Sequence, residues 1–371
     1  MMASQLSKIV VDRITARVFC YGPSGGGGNP VTIFASSKPL SRFHQIRLAK
    51  ECEWESVMVS TAAAAAAVKT TDETKNSLQS STNPIMAFYM PSGTEVNFCA
   101  HAALGGAYAA LLKPNQTSQG NRECWLETNM DRHMYRVTLP QQDDKEAMTN
   151  VACLHMTNQI WEEHPVSHRP LLHRLLREHL GLTSSQSAKS YCHGKLLPTF
   201  CNSSIARPKT LVPVQDLSTL RNLIPPKITP GKRTSFEMAC SAIDDSTGIY
   251  VYTNRDNEPT VDDGEIAGSS PTATSSSWEC RQFPRASGYP EDPATGIAAA
   301  ALAVSLFRRG FYDSCFNFYQ GISMDRPSLI QITDVSLIKE RATFGIRGRI
   351  EIDDRQEMHL PDETNDESTS N

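Results

Sequence analysis

The sequence predicts an α+β protein of two domains built alike, each wrapping strands around its own buried helix. Two observations carry that reading. The stretches "EVNFCAHAALGGAYAALLKPN" (95–115) and "GYPEDPATGIAAAALAVSLFRRG" (288–310) each enter a helix of small apolar side chains, and each sets a titratable residue, His101 or Asp292, at the helix start. They fall one in each half of the chain, with alternating or β-branched segments filling much of the rest. A length of 371 residues gives room for two domains of ordinary size.

In chain order, strand patterns run over Ile9–Phe19, where "IVVDRITARVF" alternates, then Val31–Phe34, Val57–Val59 and Met86–Tyr89. The first small-residue helix spans Ala102–Leu112 and stops at Lys113 and Pro114. Met134–Leu139 reads as a strand, Pro170–Leu182 as an exposed amphipathic helix, and Gly248–Tyr252 as a strand again. At the second small-residue helix Asp292 reads as the N-cap and Pro293 as the first helical residue, while Arg308, Arg309 and Gly310 favour its end. Its body, Ile297–Phe307, carries no charge on any face, so protein should surround it; it is far shorter than the roughly 20 apolar residues a bilayer requires. Leu329–Thr333 and Ala342–Ile352 complete the strands. The domains are then 1–140 and 150–352, the last strand returning to the first domain. Polar, low-complexity inserts interrupt them at 61–84 and 256–277. The end, "DDRQEMHLPDETNDESTSN" (353–371), reads as a disordered acidic tail, too poor in apolar surface to order itself.

Composition narrows the function. With 39% hydrophobic and 20% charged residues and a formal net charge of -4, the chain gives no reason to expect nucleic acid or an anionic membrane as partner. The start lacks an apolar signal-peptide core, which points to a soluble cytoplasmic protein. Ten cysteines spread singly over such a chain read as reduced thiols. No C-x-x-C pair or His-Glu-x-x-His suggests a metal, and His155, His164, His168, His173 and His179 read as a solvated helix surface. "PSGGGGNP" leads into a strand rather than a helix, which makes it a flexible turn and no phosphate cradle; a Gly-x-Ser-x-Gly elbow is absent. No cofactor is expected.

The helix starts carry the chemistry. The orphan N–H groups of a buried helix N-terminus form an anion site, here the amides near Ala102 and Gly296. If the two starts meet across an interdomain cleft, they make a donor-rich pocket flanked by His101 and Asp292, suited to a small carboxylate-bearing ligand.

These residues resemble the phenazine-biosynthesis PhzF-like isomerases, which share the diaminopimelate epimerase fold. The resemblance lies in "GGNPVTIF" at Asn29, "EVNFCAHAALG" at His101, "KTLVPV" and "LRNLIPP" after Lys209, "QFPRASGYPEDPATG" at Asp292 and "GISMDRPSLIQI" before Thr333, in family order along nearly the whole chain. It implies two similar domains, each a barrel-like, mostly antiparallel sheet around a central helix, an active site between them, a homodimer, and catalysis without metal or organic cofactor. The family's catalytic group is a glutamate in a Ser-Glu-Thr-x-Phe strand, and the matching stretch here is "AKECEWESVMVS" (49–60). Aligned without gaps from Ala49, Ser56 takes the glutamate's place. Aligned on the strand, Glu55 takes it and the preceding turn is one residue shorter. The second register is preferred because it decides which side chain faces the cleft, whereas a turn tolerates a deletion. Glu53 is the fallback, two residues away and so on the same strand face. The resemblance assigns catalysis to Glu55, His101 and Asp292, and substrate binding to Asn29, Ala100, Ala102, Thr295, Gly296 and Ile297. Two departures stand out: Ala100 where the family commonly has glycine, and Ile297 where it commonly has serine. Two rival readings are a member that binds without turnover and a two-thiol racemase. The racemase reading is opposed by the second helix start, which offers Asp292 instead of a partner for Cys99.

Overall fold

The computed structural model describes residues 8–22, 26–61, 83–111, 123–130, 132–139, 150–186, 191–192, 195–198, 200–228, 232–256 and 275–361. Most of both inserts and the stretch 362–371 lie outside these residues. The chain divides into two compact units, one of Met1–Arg17, Pro30–Leu139 and Glu351–Asn371, the other of Val18–Asn29 and Pro140–Ile350.

The first unit is built from β1 (Lys8–Val18), β2 (Asn29–Ser36), α1 (Arg42–Lys50), β3 (Ser56–Ser60), β4 (Ile85–Tyr89), β5 (Glu95–Val96), α2 (Ala100–Leu111), β6 (Glu123–Thr128) and β7 (Met134–Thr138), except that the end residues Val18 and Asn29 belong to the second unit. β3 lies parallel to β2, with Thr32 opposite Ser56, and antiparallel to β4, with Ser56 opposite Tyr89. β4 continues the sheet to β6 and β7. Alternation gives the sheet two covered faces. Phe34, Met58, Ala87 and Tyr89 join Leu48 and Ala49 of α1 in one core, and α2 packs on the other side of β3 and β4. α1 starts where the Ser41 hydroxyl accepts a hydrogen bond from the His44 N–H. On α2, a Cβ at Gly106 would sit 3.1 Å from the Met86 Cε and 3.2 Å from a Val59 methyl, so the small residues of this helix are what let it approach the strands.

The second unit contains β8 (Val151–Pro165), α3 (Arg169–Leu180), β9 (Tyr191–Cys192), β10 (Lys195–Leu196), β11 (Cys201–Ile205), β12 (Arg207–Pro213), α4 (Leu217–Arg221), α5 (Ser235–Ala242), β13 (Gly248–Asn254), β14 (Ser275–Pro284), α6 (Gly296–Arg308), β15 (Cys315–Gln320), β16 (Ser328–Ile338) and the first part of β17 (Arg341–Pro361). The strands pair in the order β8, β11, β12, β13, β14, β15, β16, β17, and β17 pairs back onto β8, closing a ring. Among the described residues of this unit, β12–β13 and β14–β15 are the parallel pairs. α6 packs against β11, β12 and β16, and Ala298 to Leu306 are fully buried. One face of the sheet is covered by α3, α4 and α5, whose Leu172, Leu176, Leu220 and Phe236 meet Val212, Ile249, Val251 and Phe283. The opposite face of β12, β13 and β14 therefore carries Lys209 and Leu211, then Gly248 and Tyr250, then Cys280 and Gln282.

The elements differ from the sequence expectations at several points, and the helices α1, α4 and α5 are additions to them. Helix α6 begins at Gly296 with Thr295 as its cap residue, not at Pro293 after an Asp292 cap. The reason is that the Asp292 side chain accepts the N–H of Ala294, two residues on, and so closes a local turn before the helix. The acidic tail is shorter than expected, since β17 runs on to Pro361. Its Asp353 forms a two-pronged pair with Arg17, and Leu360 is buried beside Ile9 and Val11. Two of the five histidines, His155 and His164, sit on strand β8 and not on a helix; only His173 and His179 lie on α3. Finally, β8, β11, β14 and β15 carry enough polar residues to hide their strand pattern.

The cysteines whose side chains are described are all free thiols. Among the described residues no helix is long and apolar enough to cross a membrane.

Candidate active site

In the first unit the expected residues collect at the start of α2. Glu55 sits one residue before β3, and its carbonyl accepts the Thr32 N–H at 3.2 Å, so the ladder fixes where its side chain leaves the backbone. The side chain is buried, whereas Glu53 stands exposed in the bend before it. The expectation that Glu53 and Glu55 share a strand face fails because neither residue is in the strand. His101 is in the first turn of α2, flanked by the buried Ala100 and Ala102. Burial pushes its pKa below the ordinary imidazole value, and the nearby Glu55 charge opposes that shift. The Cys99 sulfur lies 3.3 Å from His101 Nδ1. The arrangement couples a buried carboxylate, a largely neutral imidazole and a thiol at one helix start, a set able to pass and hold a proton.

In the second unit the residues around the start of α6 form a hydrogen-bonded frame. Asn29, almost wholly buried, donates from Nδ2 to Asp292 Oδ1 (2.9 Å) and to the Ala294 carbonyl (2.7 Å). The Thr295 hydroxyl donates to Asp292 Oδ2 at 2.6 Å. Gln320, at the end of β15, donates from Nε2 to the Asp292 carbonyl at 2.6 Å and accepts the Thr295 N–H at 3.2 Å. Asp292 N–H in turn bonds to the Gln282 carbonyl, adding one rung to the edge of β14. Gly296 and Ile297 supply the first amides of the helix, Gly296 buried and Ile297 half-buried. The two adjacent carboxylates of the motif therefore divide their work. Asp292 faces the helix start, while Glu291 is buried in a bidentate pair with Arg281 at 2.8 and 2.6 Å. Arg281 also donates to the carbonyls of Leu220, Arg221 and Leu223, which ties the motif to α4.

Sequence reasoning missed three residues of this frame: Gln320, Gln282 and Lys209. The buried Lys209 lies within electrostatic reach of Asp292. Its signal is present in "KTLVPV", where alternation puts a lysine on the face of a buried leucine. No group of histidine, cysteine or carboxylate side chains among the described residues is arranged to hold a metal ion.

A profile of the phenazine biosynthesis-like protein family, PhzC-PhzF, matches residues 24–350, a span that includes Asn29, Glu55, His101 and Asp292. The chain belongs to that family. Among solved structures it is similar to a PhzF-family phenazine biosynthesis protein from Bacillus anthracis, at 15% identity and a TM-score of 0.63, covering 95% of this chain and 99% of that one. A predicted epimerase from Pseudomonas aeruginosa is similar at 16% identity and a TM-score of 0.61, with coverage of 95% and 99%. A PhzF-family protein from Enterococcus faecalis matches at 15% identity and a TM-score of 0.56, with coverage of 95% and 100%. At such identities the likeness concerns the fold. No curated protein matches the sequence significantly.

Proposed function

We propose that the protein is a cofactor-independent isomerase that moves a proton between carbons of a small carboxylate-bearing substrate, with Glu55 as the general acid and base. The observation that carries this reading is the burial of Glu55 beside His101 at the start of α2, in a chain of the PhzC-PhzF family. A proton shuttle needs one group that takes the proton and returns it without leaving, plus donors for the enol-like intermediate. Glu55 performs the first task. His101 holds a polar group of the substrate beside Glu55, and the Ala102 amide donates to the oxygen of the enol-like intermediate. Asn29 and Thr295 orient Asp292 through the bonds described above. In this reading the two units follow one plan, each with strands wrapped on its own buried helix, and the protein works as a homodimer.

A second reading is a member that binds small acids without turning them over. Ile297 favours it, since a side chain without a hydrogen-bonding group stands where the family commonly has serine. Deuterium uptake from heavy water into a panel of small hydroxy and amino acids, followed by mass spectrometry, separates the two. The isomerase reading expects exchange that falls by about 10²- to 10⁴-fold in Glu55→Gln while the fold, read by circular dichroism, is retained. Exchange that persists unchanged in Glu55→Gln removes that residue from the mechanism, and no exchange in the wild type leaves the binding reading.

A further inference from the structure

One polar set in the second unit has no structural task that explains it. Neither nitrogen nor oxygen of the Gln282 side-chain amide has a hydrogen-bond partner among the described residues, although the residue is completely buried. Leaving both atoms of a buried amide unbonded is costly, and folded proteins rarely do so without a reason. The amide reaches over Gly248: a Cβ at that glycine would lie 2.4 Å from Gln282 Nε2, so the missing side chain makes its space. On the other side of Gly248 in the sheet stands Lys209, because Thr210 is opposite Ile249 in the parallel β12–β13 pair. Lys209 is also buried and makes no ion pair or hydrogen bond through its ammonium among the described residues. Asp292 completes the row from the β14 edge, bonded to the Gln282 backbone. Lys209, Gly248, Gln282 and Asp292 thus form one layer at the end of the ring where α6 begins.

We infer that Lys209 and Gln282 form a ligand subsite beside Asp292 that takes the carboxylate of a small acid bearing a hydroxyl or amino group next to it. The ammonium and the Gln282 Nε2 donate to the carboxylate oxygens. The Gln282 carbonyl and Asp292 accept from the neighbouring hydroxyl or amine. This arrangement satisfies the buried amide only when ligand is present, which accounts for its unbonded state in the protein alone. The charged groups around Lys209 fit the assignment. Burial, then Arg207, push its pKa down and Asp292 pulls it up, Cys240 raising and Arg285 lowering it further, for a net fall from 10.5 to about 8. A bound carboxylate favours the charged form of this ammonium further. The inference deepens the proposed function and rests on it only in taking the ligand to be a small carboxylate-bearing acid.

Cyanate tests the subsite without any turnover. It adds across a neutral amine to give a carbamoyl-lysine, with no leaving group, so a small, accessible lysine of lowered pKa reacts ahead of ordinary ones. Peptide mapping of the intact folded protein after cyanate treatment at pH 8 is expected to show Lys209 modified faster than the exposed Lys38 and Lys339, and glycolate is expected to slow Lys209 alone. Lys209 left unmodified while surface lysines react would make it a closed structural lysine and overturn the inference. Protection by chloride at equal ionic strength as strong as that by glycolate would reduce the site to an adventitious anion effect. Gln282→Met supplies the second arm. It is expected to leave the melting temperature unchanged or raised, since it removes unbonded polar atoms, and to abolish protection by glycolate; a lowered melting temperature would show that the amide is structural. Glu55→Gln should keep glycolate protection intact, so loss of the isomerase reading and loss of the subsite give different results.

Discussion

The starts of α2 and α6 are built from the same sequence device and hold their titratable side chains in different ways. At α2 the titratable side chains are brought together by packing: Glu55 enters from the strand before it, His101 sits in the first turn, and burial keeps the imidazole largely neutral. At α6 the carboxylate is held by directed bonds from Asn29, Thr295 and the turn amide of Ala294, with Gln320 fixing its backbone. Its neighbour Glu291 is locked into a buried ion pair. A proton-moving group needs its two protonation states close in energy, whereas a group that orients substrate needs one state held firmly in place. The proposed function assigns the first task to the start of α2 and the second to the start of α6.

The comparison can be broken most severely at Arg281. Arg281→Met leaves the Glu291 carboxylate buried without its partner and should cost about 3–5 kcal/mol in denaturant unfolding. Adding Glu291→Leu to that variant should restore most of the loss, since an apolar pair replaces an ion pair with little net penalty. A single variant that unfolds at the wild-type denaturant concentration would show that the motif does not depend on this anchor.

A smaller effect belongs to Thr295. Thr295→Val removes the hydroxyl that donates to Asp292 Oδ2, a bond to a charged acceptor, and should lower stability by about 1.5–3 kcal/mol. It should also weaken proton exchange while leaving the region around Glu55 unaltered. Equal stability of the two proteins would mean that Asn29 and Gln320 alone hold the frame.

The smallest change sharpens the contrast from the other side. The folded-state pKa of His101 lies below its ordinary value of 6.5, so between those two values the unfolded chain binds the proton and the folded one does not. Stability therefore falls as the pH drops through that window, by at most about 1.4 kcal/mol per pH unit from this group. His101→Gln should flatten the fall between pH 7 and pH 5, read from urea midpoints at each pH. An unchanged slope would assign the acid sensitivity elsewhere.

Much of this was legible from local patterns. Small residues around Gly106 and from Ala298 to Ala301 marked two helices that strands could approach closely, and the family motifs pointed to Asn29, Glu55, His101 and Asp292. Strand register prefers Glu55 to Ser56 and, by parity, leaves Glu53 on the same face. In the structure Glu55 is buried and Glu53 exposed, because both precede β3 and a bend at Glu53 breaks the alternation. The tail was misjudged by composition, because the charge of Asp353 is met by Arg17, 336 positions away in the chain.

The sequence by itself determined the helices α2, α3 and α6, that the two small-residue helices can be buried, and that ionisable residues stand at their starts. Those properties depend on residues within a few positions of one another. The tertiary structure alone decided that Thr295 and not Asp292 begins α6, that Glu291 is an anchor, and that Lys209 and Gln282 share a layer with Asp292. Each of these depends on which strands lie side by side, and hydrogen bonds and charges act through that spatial neighbourhood, which chain order does not reveal.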